Sequence, residues 1–197
     1  VVLLGDTLEL RERPMAALLE LVRPVFEALA PALAGRRVTI VAGNHDHQLA
    51  RPWIDRARLA GRALAPDAEW PVGRGQADGP AGVLAGWLRD SEVTLAYPGL
   101  WLHDGVYATH GQYLDLHLTV PRVESIAASA VCRLSGRSPD CASADDYEAV
   151  LAPVYGFHAG LAEGASEGAL ARGAIVSRSV WSRANGNGRL ERVLIGR

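Results

Sequence analysis

Two short polar motifs follow apolar runs in this chain: Gly5-Asp6 comes after Val1-Val2-Leu3-Leu4, and Gly43-Asn44-His45-Asp46 comes after residues 38–42. A third, His110-Gly111, follows the run at 105–109. Carboxylate oxygen, amide oxygen and imidazole nitrogen are donors suited to manganese, iron, zinc or magnesium, and no thiolate stands among them. A divalent ion held by such groups lowers the pKa of a bound water and neutralises charge on a phosphoryl oxygen, so the chemistry suggested is metal-assisted hydrolysis. The glycines let the backbone turn sharply beside these side chains. Gly-Asp and Asn-His-Asp are also ordinary turn sequences. The order of the motifs, each at the end of a strand, weighs against that plainer reading.

The elements that must position these residues follow from periodicity. Residues 1–4 and 38–42 read as buried strands, and 14–33 has the apolar spacing of a helix. That is a β-α-β unit with its polar groups at the carboxyl ends of strands, where α/β sheets gather ligands. Residues 47–60 read as helical, interrupted by Pro52, and 61–86 as a long loop or short-helix connection rich in Gly, Pro, Ala and Asp. Three strand-like runs come next, at 93–96, 100–103 and 106–109, the last two joined by the Asp104-Gly105 hairpin signal. The change from β-α-β to consecutive strands predicts a two-sheet α/β fold whose second half is partly antiparallel. From 120 to 181 the pattern is largely helical, with breaks expected at 136–141 and 156–168.

On these motifs the chain resembles the calcineurin-like metallophosphoesterases, whose ordered motifs are Asp-x-His, Gly-Asp, Gly-Asn-His-Asp/Glu, His-Gly and Gly-His-x-His. Three of the five are present, and the resemblance covers roughly residues 1–120. It implies a four-layer α-β-β-α sandwich and a centre of two divalent metal ions. Asp6 is similar to the bridging carboxylate, and Asn44 and His110 to ligands of the second ion. His45 is similar to the histidine that contacts the phosphoryl group and protonates the leaving oxygen, with Asp46 orienting that imidazole. Gln112, Asp115 and His117, close to the His-Gly turn, are candidate substrate contacts. No Asp-x-His precedes Asp6 and no Gly-His-x-His follows His110. The expectation is therefore a piece of a longer enzyme, incomplete at both ends, that alone binds metal poorly and hydrolyses little. Residues 1–119 are assigned to the metallophosphoesterase core and 120–190 to a helical insertion. That insertion is either a cap over the ions or a layer covering the sheet. Residues 191–197 are read as the start of a further core strand.

The expected function is hydrolysis of a phosphate ester or pyrophosphate bond in a small phosphorylated molecule. A narrower form, resembling the UDP-diacylglucosamine hydrolases, shares Gly5-Asp6-Thr7-Leu8-Glu9, but those enzymes carry Arg where this chain has His45. The alternative of another class is a non-catalytic protein-interaction module on the same fold.

Composition narrows the remaining classes. The 197 residues are 49% hydrophobic and 21% charged, which is enough for one sizeable core. A net charge of −2 gives no reason to expect nucleic-acid binding. All 20 basic residues are Arg, so a lysine nucleophile is excluded. No apolar run is long enough to span a membrane, and the location is read as cytoplasmic. Cys132 and Cys141 flank a loop-like stretch and are read as free thiols, with a disulfide as the alternative in an oxidising compartment. His47 is read as a solvent-facing residue at a helix start, and His103 and His158 as surface or packing residues. Glu9 is read either as support for the metal or as a charge at a helix start.

Overall fold

The computed structural model describes residues 1–117, 122–136 and 140–164. These form a mixed α/β fold in which a curled, mixed sheet is flanked by helices. β1 (Val2–Leu4), α1 (Met15–Leu33) and β2 (Arg37–Val41) make the expected crossover unit, with β1 and β2 parallel and Val2 opposite Thr39. α1 buries Leu18, Phe26 and Leu33 against the sheet. Its prolines, Pro24 and Pro31, are exposed, so the carbonyls they leave without an amide partner remain open to water. After β2, a 3-10 turn (His47–Leu49) leads into α2 (Arg51–Leu59).

The next segment departs from the expected connection. β3 (Asp67–Pro71) pairs antiparallel at the edge of the sheet, followed by α3 (Gly79–Trp87). An edge strand with alternating exposure tolerates the terminal Pro71, because the outer side of the edge needs no ladder donor. The two runs expected at 93–96 and 100–103 are one strand, β4 (Glu92–His103), passing through a cis Tyr97–Pro98 bond. The first part of β4 lies between β2 (parallel) and β3, while its second part pairs with β5 (Val106–Thr109) as the expected hairpin. Val38, Ile40, Leu84, Leu88 and Leu95 are fully buried in the core between sheet and helices.

Two further helices follow, α4 (Arg122–Ser135) and α5 (Ala144–Glu163). α5 begins at a capping box: the Ser143 hydroxyl accepts from the Asp146 N–H, and the Asp146 carboxylate accepts from the Ser143 N–H. It continues through Gly156 and Gly160 to Glu163, so the break expected from residue 156 is not there. The strand expected at 191–197 lies outside the described residues. Cys132 and Cys141 are free thiols. Among the described residues, no helix is long and apolar enough to cross a membrane.

Candidate metal centre

The carboxylate of Asp6 is aimed by an unusual piece of backbone. Gly5 and Asp6 both have positive φ, 73° and 48°, and the turn is tied down by the Gly5 N–H donating to Val41 O at 3.0 Å. Aspartate tolerates the left-handed region better than most residues, and such strain is held only where the surroundings over-determine it. The result is that Asp6 Oδ1 accepts the His45 N–H at 3.0 Å while Oδ2 lies 3.1 Å from His110 Nε2. Three chain segments thus meet at one carboxylate.

The meeting requires glycine at two positions. A Cβ on Gly5 would lie 2.1 Å from His110 Nδ1, and one on Gly43 would lie 2.3 Å from Asp6 Oδ1. Gln112 closes the same junction from the other side. Its Nε2 donates to Ala42 O at 3.3 Å, joining the His110 turn to the end of β2, and its Oε1 is buried without a hydrogen-bond partner among the described residues.

His45 does not take its orientation from Asp46, as the resemblance implied. Its Nδ1 donates to Glu9, at 2.6 Å and 2.8 Å from the two carboxylate oxygens. Asp46 instead gathers backbone: Oδ1 accepts the Gly43 N–H at 2.6 Å, and Oδ2 accepts those of Thr7 at 2.6 Å and Leu8 at 3.2 Å. It staples the first motif to the second. The spacing of Glu9 three residues after Asp6 was a signal for its role, since a tight turn brings both carboxylates to one side.

The charges are mutually adjusted. Burial pushes Asp6 up, but the hydrogen bonds from His110 and the His45 N–H, with the charge of both rings, hold it below the usual aspartate value. The bond to Asp6 raises His110 and the bond to Glu9 raises His45, each against burial. Burial dominates at Asp46, whose carboxyl is pushed up to about 6 despite its three amide donors.

Among the other expected site residues, His117 bonds Tyr147 of α5, Nε2 to hydroxyl at 2.8 Å. Asp115 lies in the 3-10 turn Gln112–Leu116, with its side chain outside the described residues. His47, expected to face solvent, is buried and bonded to Glu148. Exposed His103 matches its expectation, and His158 is buried against Arg11.

Among the described residues, no three His, Cys, Asp or Glu side chains converge as a ready metal cage. What converges is the Asp6–His110 pair, with the amide-bearing Asn44 in the adjoining turn. His110 Nδ1 faces the Leu4 carbonyl at 3.4 Å, which directs Nε2 toward Asp6. An imidazole nitrogen and a carboxylate side by side are donor types that divalent ions accept. Comparison of the chain with protein-family models, with curated proteins and with solved structures found no match.

Proposed function

We propose that this cluster belongs to a metal-dependent phosphoesterase site acting on a phosphate ester or pyrophosphate bond of a small phosphorylated molecule. The four-layer sandwich implied by the resemblance belongs to the same reading. The observation that carries it is the convergence of Asp6, the 43–46 turn and His110 from distant parts of the chain, with glycines where any side chain would collide. Asp6, Asn44 and His110 would hold one of two divalent ions, with Asp6 shared between them. Manganese, iron, zinc or magnesium bound there supplies an activated water and offsets charge on the phosphoryl oxygens.

The chain's own residues do the remaining work. With Nδ1 of His45 engaged by Glu9, proton delivery to the departing oxygen falls to Nε2. Glu9 also favours the protonated ring, the form a general acid needs. Asp46 and Gln112 keep the three segments in register without facing the substrate.

The test is hydrolysis of bis(p-nitrophenyl) phosphate with manganese by this protein. Asp6→Asn and His45→Ala are each expected to lower turnover by about 10²–10⁴. Asparagine tolerates the same positive φ, so the melting temperature should stay close to that of the parent. Turnover unchanged by both substitutions would sink the assignment.

A further inference from the structure

α5 is joined to the rest of the described fold by polar contacts along its whole length. Near its start, Asp145 Oδ2 accepts the Leu64 N–H at 2.9 Å. One turn on, Glu148 Oε1 accepts from His47 Nε2 at 2.8 Å and Oε2 accepts the Tyr97 hydroxyl at 2.8 Å. Farther along, His158 Nδ1 accepts from Arg11 Nη2 at 2.8 Å, and at the end Glu163 Oε1 accepts the Met15 N–H at 2.7 Å. Two of these contacts reach the candidate site's own loops. His47 stands two residues after His45. Arg11 stands two after Glu9, and its backbone N–H donates to Glu9 Oε1 at 3.3 Å.

The Glu148 contact is the most demanding of the four. Its side chain and that of His47 have relative exposures of 0% and 1%, and a carboxylate so enclosed persists only if its hydrogen bonds offset the lost hydration. The tyrosine supplies one donor from β4, in the middle of the sheet, and the histidine supplies the other. His47 is further enclosed by the rings of Tyr97 and Tyr155, with centroids 5.5 Å and 5.2 Å away. Arg58 of α2 approaches the same carboxylate at 4.0 Å. Moving α5 outward would strip the acceptor from both buried donors at once.

We propose that Glu148 is a positioning residue of the candidate site: through His47 it fixes the turn at residues 43–50, making α5 a permanent brace of that turn rather than a cover that swings open over it. For what the turn does, this rests on the phosphoesterase reading; for how the turn is held, it rests on the buried contacts alone. The consequence is that substrate enters past the exposed side of the Asp6–His45–His110 cluster, with α5 staying in place throughout turnover.

Hydrogen exchange of the 43–50 amides tests the brace. Leu49 N–H donates to Asp46 O and Ala50 N–H to His47 O, so both amides report on the turn. Glu148→Ala should speed their exchange at least about tenfold more than Leu151→Ala, which loosens the buried packing of α5 while leaving the Glu148 carboxylate in place. Glu148→Gln, able to serve both His47 and Tyr97, should speed exchange clearly less than Glu148→Ala. Should Glu148→Ala fail to fold, Glu148→Asp, with its carboxylate withdrawn by one methylene, must show the same pattern at smaller size. Equal exchange in Glu148→Ala and Leu151→Ala would overturn the brace. Hydrolysis of bis(p-nitrophenyl) phosphate with manganese is the second readout: kcat should fall about tenfold in Glu148→Ala with KM unchanged, and recover in Glu148→Gln. A parent protein that hydrolyses nothing removes the phosphoesterase reading, and the exchange comparison still decides the brace.

Discussion

His45 and His47 stand two residues apart, and each bonds a glutamate, yet their surroundings are opposite. The His45–Glu9 pair, at 2.6 Å, has side-chain exposures of 28% and 39%, while the His47–Glu148 pair, at 2.8 Å, has exposures of 1% and 0%. The open pair sits beside a strained Asp6 and two glycines that allow no side chain. The sealed pair is closed over by Tyr97 and Tyr155, and both oxygens of its carboxylate are bonded, one to His47 and one to Tyr97. The first arrangement keeps an imidazole edge available for chemistry, and the second spends both partners on holding two segments together. Proximity in sequence says little here about which kind of pair a histidine will join. The side of the turn on which it emerges decides.

The largest effect should come from filling the space that the open side depends on. Gly43→Ala places a methyl against Asp6 Oδ1 and within 2.8 Å of His110 Cδ2, so the carboxylate and imidazole must part. Hydrolysis of bis(p-nitrophenyl) phosphate should fall at least about 100-fold, because displacement of reacting groups by an ångström is enough. Overpacking should cost about 1–3 kcal/mol of stability, read from urea unfolding. Retention of full turnover would show that Asp6 and His110 need not touch, and the contrast between the two pairs would lose its functional half.

The sealed pair should answer to pH in stability. Burial alone would raise the Glu148 carboxyl, but the His47 ring and the hydrogen bonds from His47 and Tyr97 hold it below its ordinary value of 4.5. A carboxyl depressed on folding contributes stability that is present above its unfolded pKa and lost as pH falls through its folded pKa. Glu148→Gln should therefore be less stable than the parent by about 1–3 kcal/mol at neutral pH. The gap should close as pH drops below 4.5. Asp46, raised to about 6, works in the opposite sense, gaining stability as pH falls through that value, but it is common to both proteins and cancels in the difference. A gap independent of pH would show that Glu148 acts by shape alone.

Much of this contrast was legible in the sequence on one side only. The strand-end motifs at Asp6, Asn44-His45 and His110 carried the candidate site, because each is local: a short apolar run, a glycine and a donor. The crossover unit and the β4–β5 hairpin were legible for the same reason. β3 was not, since Asp67–Pro71 has neither an apolar run nor a strong alternation, and its pairing comes from β4 across the chain. Pro98-Gly99 looks like a break between runs at 93–96 and 100–103, but the ladder to β3 reaches Pro98 and the ladder to β5 begins at Gly99, so one strand passes through it. Nothing near His47 in the chain announces its burial, because its partner lies 101 residues away, and Arg11 pairs with His158 across 147. Long-range polar pairs leave no periodic trace.

The smallest change in stability should come from the open pair. Glu9 is more than a third exposed, so its bond to His45 is screened by water and contributes little to folding; Glu9→Gln should leave stability within about 0.5 kcal/mol. Turnover is another matter. The substitution removes the charge that favours protonated His45 and weakens the hold on Nδ1, so kcat should fall by about tenfold to 100-fold while the fold stands. Glu148→Gln is expected to do the reverse, shifting stability with little change in kcat. The paired measurement therefore separates the two histidines by function even though a single residue, Asp46, lies between them in the chain. If both glutamines changed the same quantity, exposure would not be what distinguishes a working pair from a structural one in this turn.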